Sequence, residues 1–142
     1  MLFRSDYVED GRVHILQDKD IPYYATIFRI HGPFLFGATD KLSVVTENLH
    51  TLPPVVIIRL RNMTALDATG LFALEEVART LKASGRELIL CGAREQPSEL
   101  LRQTEFEELV GGENICDNVQ EALRRAEEVF ERLQPAGTVR ER

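Results

Sequence analysis

The stretch VVIIRLRNMTALDATGLFALEEV, residues 55–77, contains the two patterns that decide the fold of this chain. It opens with an almost unbroken β-branched run at 55–60, which is typical of a strand buried on both faces of a largely parallel sheet. Apolar residues then recur at helical spacing from Ala68 to Leu81, and Gly85 stands where a glycine ends many helices. The stretch therefore predicts the central strand of a sheet followed by a long helix.

The rest of the chain repeats this alternation of strands and helices. Further strands are predicted at 23–30, 34–36, 87–92 and 114–118, the first two as a hairpin-like pair. Further helices are predicted at 38–50, 96–104 and 119–133. The alternation predicts one α/β domain at 21–133, preceded by a lead-in segment at 1–20 with one short strand and followed by a polar tail at 134–142.

Length and composition limit the classes of function. A chain of 142 residues is long enough for one sizeable core. Its net charge of −6 argues against nucleic acid as a partner, because such binding draws most of its affinity from Lys and Arg. No run approaches the roughly 18 apolar residues of a membrane span, and the N-terminus lacks the apolar segment of a signal peptide. We therefore expect a soluble cytoplasmic protein without nucleic-acid binding or membrane insertion.

The motifs of common enzymes are missing from the sequence. It has no phosphate-binding loop, no dinucleotide-binding glycine motif and no nucleophile elbow. His14, His31 and His50 are far apart and lack metal-ligand spacing. Cys91 and Cys116 have no paired Cys or His nearby in sequence, and we interpret both as reduced core thiols. We therefore expect no catalytic residues, no metal and no cofactor.

A small polar tetrad, residues 67–70, lies where the first pattern gives way to the second. Asp67 suits the N-cap, where its side chain would stabilise the helix by roughly 1 kcal/mol. Gly70 falls in the first turn, where glycine costs roughly 0.5–1 kcal/mol relative to alanine, so it indicates close approach of another backbone or a ligand. Thr69 offers a hydroxyl that suits phosphorylation or anion binding. Two interpretations remain open: a structural cap, or a regulatory or anion-binding loop of Asp67, Thr69 and Gly70.

These features together resemble the STAS domains, which occur as bacterial anti-sigma-factor antagonists and as cytoplasmic C-terminal domains of SulP-type sulfate and anion transporters. The resemblance rests on the stretch at 55–77 and on RIHGPFLFGATDKL (29–42), CGAREQPSELLRQTEF (91–106) and GGENICDNVQEALRRA (111–126). The last three favour the transporter branch. The resemblance implies a small mixed sheet of about four to five strands flanked by about four helices, and no enzymatic activity.

In the transporter branch, the resemblance implies a domain that is attached to a transmembrane anion-transport unit lying before Met1. The domain would act by contact with that unit, with a protein regulator, or with a second protomer in a homodimer of the parent transporter. Nucleotide and acyl-carrier-protein binding are linked to some such domains. The parent protein would tether the domain to the inner face of the cell membrane.

Phe34, Leu35 and Phe36 form an apolar cluster in one of these stretches. On a strand, Phe34 and Phe36 share one face and Leu35 takes the other. Core packing is one interpretation of the cluster, and a docking patch for the transport unit or a second subunit is the other.

Two alternatives to the transporter domain remain. In the antagonist branch, the serine directly after the motif aspartate is phosphorylated, but this chain has Ala68 there and no hydroxyl to modify. Thr69 matches the next position and is the remaining hydroxyl for a freestanding protein that captures an anti-sigma factor. A small α/β enzyme with an unrecognised site is the third hypothesis.

Overall fold

The computed structural model of the chain describes residues 2–4, 8–9, 12–13, 21–35, 42–47 and 49–133. Its strands are β1 (Leu2–Arg4), β2 (Val8–Glu9), β3 (Arg12–Val13), β4 (Ala25–Ile30), β5 (Gly32–Phe34), β6 (Val55–Arg59), β7 (Met63–Leu66), β8 (Glu87–Cys91) and β9 (Ile115–Cys116). Its α-helices are α1 (Ser43–Glu47), α2 (Ala68–Ala83), α3 (Glu95–Leu101), α4 (Thr104–Val110) and α5 (Val119–Leu133). Short 3-10 helices lie at Leu49–Thr51 and Gly112–Asn114.

The main sheet has the strand order β1-β4-β6-β8-β9, so β6 lies at its centre as the β-branched run predicts. Strands β4, β6, β8 and β9 run parallel, and β1 adds to β4 in the antiparallel direction. Ile27, Ile57 and Ile89 stand in one register across the three inner strands. The predicted fold class, a small mixed sheet with flanking helices, is therefore confirmed.

Helices cover both faces of this sheet. Side chains alternate along each strand, so Val56 and Ile58 join the core formed with α1 to α4, while Val55 and Ile57 join the core formed with α5. Every residue of β4 is buried, because neighbouring strands flank it and helices cover it on both sides. The structure is thus a three-layer sandwich in which α5 alone covers the second face among the described helices.

The predicted hairpin is wrong. Strands β4 and β5 do not pair with each other; β5 pairs in parallel with β7, a strand that the sequence analysis did not predict. Gly32 has φ of +80°, which turns the chain away from the main sheet, and its amide donates to the carbonyl of Asn62 at 2.8 Å. The strand predicted at 34–36 is therefore shifted towards the N-terminus, and Phe36 lies outside the described residues.

Other boundaries also differ from the predictions. The single helix predicted at 96–104 is two helices, α3 and α4, separated by Arg102 and Gln103. Three short strands lie in the segment at 1–20, where one was expected. The start of the helix predicted at 38–50, up to residue 41, and the predicted tail at 134–142 lie outside the described residues.

Helix α2 approaches the small β5–β7 sheet so closely that only glycine fits at position 70. A Cβ atom on Gly70 would lie 2.8 Å from the Cδ1 atom of Leu66 and 2.8 Å from the Cδ2 atom of Phe34. It would also clash with the Phe34 carbonyl oxygen. Of the two explanations that the sequence left open, backbone approach accounts for this glycine, and no ligand is needed.

We predict that Gly70→Ala lowers the free energy of unfolding by about 1–3 kcal/mol, because the added methyl group overpacks the contact with Phe34 and Leu66. Helix propensity alone would predict the opposite, because alanine in a helix raises the free energy of unfolding relative to glycine. Urea denaturation of the two proteins measures the difference. Ala68→Gly, at an exposed position of the same turn, reports propensity alone. A Gly70→Ala variant as stable as the native protein would contradict the close-packing explanation.

A polar network ties α5 to the sheet at Glu87. The Glu87 carboxylate accepts hydrogen bonds from Arg132 Nη2 at 2.7 and 2.8 Å and from Asn114 Nδ2 at 2.8 Å. Arg125 Nε donates to Asn114 Oδ1 at 2.7 Å. Burial acts to raise the pKa of Glu87, but the hydrogen bonds from Arg132 and Asn114, with the charges of Arg132 and Arg125, outweigh it and hold the pKa below its ordinary 4.5.

The lowered pKa makes this network a source of pH-dependent stability. Since the folded pKa lies below the unfolded value, the contribution is present above pH 4.5 and is lost as pH falls through the folded pKa. We predict that Glu87→Gln destabilises the protein at neutral pH and that the difference shrinks progressively below pH 4.5. Urea denaturation across this range tests the prediction, with Glu99→Gln at an exposed position of α3 as the control. A pH-independent difference would contradict it.

Candidate functional site

Asp67 is the N-cap of helix α2. Its backbone is extended, with φ of −115° and ψ of −177°, and its Oδ1 atom accepts a hydrogen bond from the amide of Gly70 at 2.8 Å. Its carbonyl oxygen also accepts the first helical hydrogen bond, from Leu71 N at 2.9 Å. The structural-cap interpretation therefore describes what this side chain does in the structure.

The strand that leads into this cap is held from both edges. Strand β5 pairs with one edge of β7, and the side chain of Gln96 bonds the other. Gln96 Oε1 accepts from Leu66 N at 2.9 Å, and Gln96 Nε2 donates to Leu66 O at 2.8 Å. The amide thus occupies the place of a further strand and fixes the residue directly before Asp67. Sequence reasoning missed this role because β7 itself was not predicted.

Thr69 and Phe72 lie on a groove between α1 and α2. The groove has a volume of about 390 Å³, and its lining includes Leu42, Thr69, Phe72, Ala73, Glu76 and Val77. Phe72 is 57% exposed, the largest fraction among the large apolar side chains of the described residues. Thr69 is half-buried and contributes to the lining of this groove. The candidate loop and an exposed aromatic side chain therefore share one surface.

Phe72 could have been found from the sequence. The buried stripe of α2 consists of Gly70, Leu74, Val77, Ala78 and Leu81, and Phe72 falls outside this stripe. A large aromatic residue off the apolar face of a helix points to solvent or to a partner. The sequence-based prediction used the apolar positions from Ala68 to Leu81 to identify the helix and did not include Phe72.

The apolar cluster at 34–36 divides in the structure. Phe34 is 1% exposed and belongs to the core beneath Gly70, so it does not face a partner. Leu35 is 37% exposed and remains a surface residue. Phe36 lies outside the described residues.

Both cysteines are free thiols. Burial raises the pKa of the Cys91 thiol to about 12, so it is almost entirely protonated at neutral pH. Cys116 is half-buried, its Sγ atom donates to the carbonyl of Glu113 at 3.6 Å, and burial also raises its pKa. Neither thiol has the lowered pKa of a nucleophile.

Metal-ligating groups do not converge in the part of the chain that the structure describes: no three His, Cys, Asp or Glu side chains there form a possible cation site. His31 lies beside Asn62, with 3.3 Å between Nδ1 and the amide nitrogen, and His50 is exposed. His14 lies outside the described residues. None of the helices in the described ranges is both long and apolar enough to span a membrane.

Comparison with known proteins identifies the fold. Residues 14–122 match the family model of the STAS domain. The crystal structure of a sulfate transporter family protein from Wolinella succinogenes is 33% identical, has a TM-score of 0.71, and aligns over 78% of this chain and 91% of that one. The STAS domain of a SulP transporter from Vibrio cholerae is 27% identical, with a TM-score of 0.67 and coverage of 79% and 88%.

A curated relative, named "Putative sulfate transporter YvdB" in Bacillus subtilis strain 168, is 26% identical over 106 residues, which make up 74% of this chain. The chain spans only 19% of that relative's length. The anti-sigma factor antagonist SpoIIAA shares the fold, with 14% identity, a TM-score of 0.55 and coverage of 75% and 93%. Because the STAS family model extends over most of the chain, this protein belongs to the STAS-domain family.

Proposed function

We propose that this chain is the regulatory and interaction domain of a SulP-type anion transporter. The observation that carries the proposal is its similarity to sulfate transporter domains over more than three quarters of its length. In such a protein the domain would lie on the cytoplasmic face, tethered to the membrane by its transport unit. The non-enzymatic role in this proposal rests on membership of the STAS-domain family.

The contact surface in this proposal is the groove between α1 and α2. Phe72 exposes more than half of its surface there, and burying such a side chain against a partner contributes roughly 1.5–3 kcal/mol. Aromatic anchors with a polar rim are typical of protein interfaces, and Glu76 and Thr69 supply polar atoms beside Phe72. The partner is the transport unit of the same polypeptide or a protein regulator.

Phosphorylation is not the switch in this proposal. Position 68, directly after the cap, is an exposed alanine without a hydroxyl. A phosphate on Thr69 would add negative charge close to the Asp67 carboxylate, which already accepts the Gly70 amide. Regulation by contact at the groove therefore fits the residues better than regulation by a kinase.

Fractionation of the source cells tests the transporter proposal directly. An immunoblot with an antibody against this chain should give a band several times larger than a 142-residue protein, in the membrane fraction. A soluble band at the chain's own mass would instead favour the second candidate, a freestanding antagonist-like STAS protein, which the shared fold of SpoIIAA makes the main alternative.

Phe72→Ser tests the contact surface within the full-length transporter. If Phe72 is an anchor, its truncation should cost more than about 1 kcal/mol of contact energy and change anion uptake about fivefold, at unchanged expression. The matched control is Tyr23→Ser, which removes a 49% exposed aromatic side chain that contacts Phe130 of α5 on the other face of the sheet. Equal effects of the two substitutions, or none from Phe72→Ser, would contradict the assignment of the groove.

A further inference from the structure

A row of cationic side chains lies at the edge of the main sheet where the parallel strands end. Arg29 of β4 stands directly opposite Arg59 of β6 in the strand register. Both follow the alternation that places Ile27 and Ile57 against α5, so their side chains leave the sheet on the α5 face. The next strand places Cys91 opposite Arg59. Two arginines are therefore neighbours on one face of adjacent strands.

Like charges directly opposite each other on neighbouring strands repel, and Arg59 and Arg29 form such a pair. Arg59 and Arg61 form no ion pair within the part of the chain that the structure describes, although the whole chain carries a net charge of −6. Two arginines that form no ion pair with a described residue, Arg59 and Arg61, thus lie close together on an acidic protein.

Two clefts open onto these side chains. The first, of about 280 Å³, is lined by Arg29, Arg59, Arg61, Ile30 and Asn62. The second, of about 330 Å³, shares Arg59 and Arg61 and extends to Gly92 and to the start of α5 at residues 117–120. The two volumes meet at the same pair of arginines.

The start of α5 strengthens the positive potential of the second cleft. This helix has 15 residues, and Asn118 caps it by accepting the amide of Glu121 at 2.8 Å. The helix dipole favours negative charge there, and Glu121 already meets part of that preference, because its Oε1 atom accepts from the Asp117 amide at 3.4 Å. Among the described residues, Asp117 is the one acidic residue that lines the second cleft, and none that lines the first is acidic. An anionic ligand is therefore favoured on the side of Arg59 and Arg61.

We propose that this edge of the sheet binds a tetrahedral oxyanion, such as a phosphate or sulfate group. Arg59 and Arg61 would donate to its oxygens, since a guanidinium presents paired N–H groups that match such an anion. Arg29 lines the first cleft beside them, opposite Arg59 in the strand register. The first cleft has the volume of roughly nine water molecules, so it holds either a free ion or the phosphate group of a larger molecule. The site lies on the opposite face of the sheet from the α1–α2 groove and does not depend on the function proposed for that groove.

Titration of the full chain with inorganic phosphate and with sulfate, followed by proton–nitrogen correlation spectra, tests the proposal. The control is sodium chloride at the same ionic strength. We expect saturable shifts of the amides of Gly92 and Asn118 with the two oxyanions and no saturation with chloride. An absence of saturable shifts at this edge, or identical shifts with chloride, would overturn the proposal.

Two variants and a matched control make the test specific. Arg59→Gln and Arg61→Gln should each weaken oxyanion binding about tenfold or more. Arg79→Gln removes the same charge from an exposed position of α2, on the other face of the sheet, and should leave the affinity unchanged. Because Arg61 is exposed, Arg61→Gln decides the outcome if Arg59→Gln does not fold. Native affinity in Arg61→Gln, or equal losses in Arg61→Gln and Arg79→Gln, would overturn the assignment.

A phosphate monoester, glucose 6-phosphate, distinguishes the two sources of the oxyanion. Tighter binding of the monoester than of inorganic phosphate would identify the site as one for the phosphate group of a larger ligand. Weaker binding of the monoester would identify it as a site for the free ion. In both cases Arg61→Gln should weaken the binding. If Arg61→Gln left the affinity for the monoester unchanged, this would contradict the proposal that Arg61 binds the phosphate group of either ligand.

Discussion

The central strand β6 is buried on both faces, and this constraint organises the rest of the fold. Residues 55–58 have no measurable exposure, so apolar surface must cover the sheet above and below them. Burial of this kind contributes roughly 1.5–3 kcal/mol for each such side chain. Because one layer of helices covers only one face of the sheet, burial of both faces needs two layers. Helices α1 to α4 form one cover, and α5 forms the other. The Glu87 network holds α5 to the sheet and so completes the second cover.

The same arrangement creates two separate surfaces. The α1–α2 groove lies on the face covered by four helices, next to a cap that Gly70 and Gln96 hold in place. The proposed oxyanion site at Arg59 and Arg61 lies where the parallel strands end, next to the start of α5. The proposed protein contact at the first surface and the proposed anion site at the second can therefore be changed independently by mutation.

Local patterns carried the parts of the structure that the sequence predicted. Strand β6, helix α2 and helix α5 are each predicted by a local pattern of apolar residues. Asp67 is predicted as a cap by its position directly before a helix. The pairing of β5 with β7 and the bonds from Gln96 to Leu66 connect residues about 30 positions apart. Register has the same non-local origin, so the alignment of Arg29 with Arg59 could not be read from either strand alone.

The loop that leads into helix α2 is held by several contacts, and this limits how the proposed regulation can work. Asp67 caps the helix, Gln96 fixes the preceding strand, and the backbone of Phe34 leaves no room for a side chain at Gly70. Moving this loop would break the cap, the amide bridge and the core contact together, whereas a partner that buries Phe72 disturbs none of them. Because this loop is fixed, the α1–α2 groove is preformed, and a partner that binds it loses little of the chain's conformational entropy. The chain would then transmit a signal by where it docks rather than by changing its own fold.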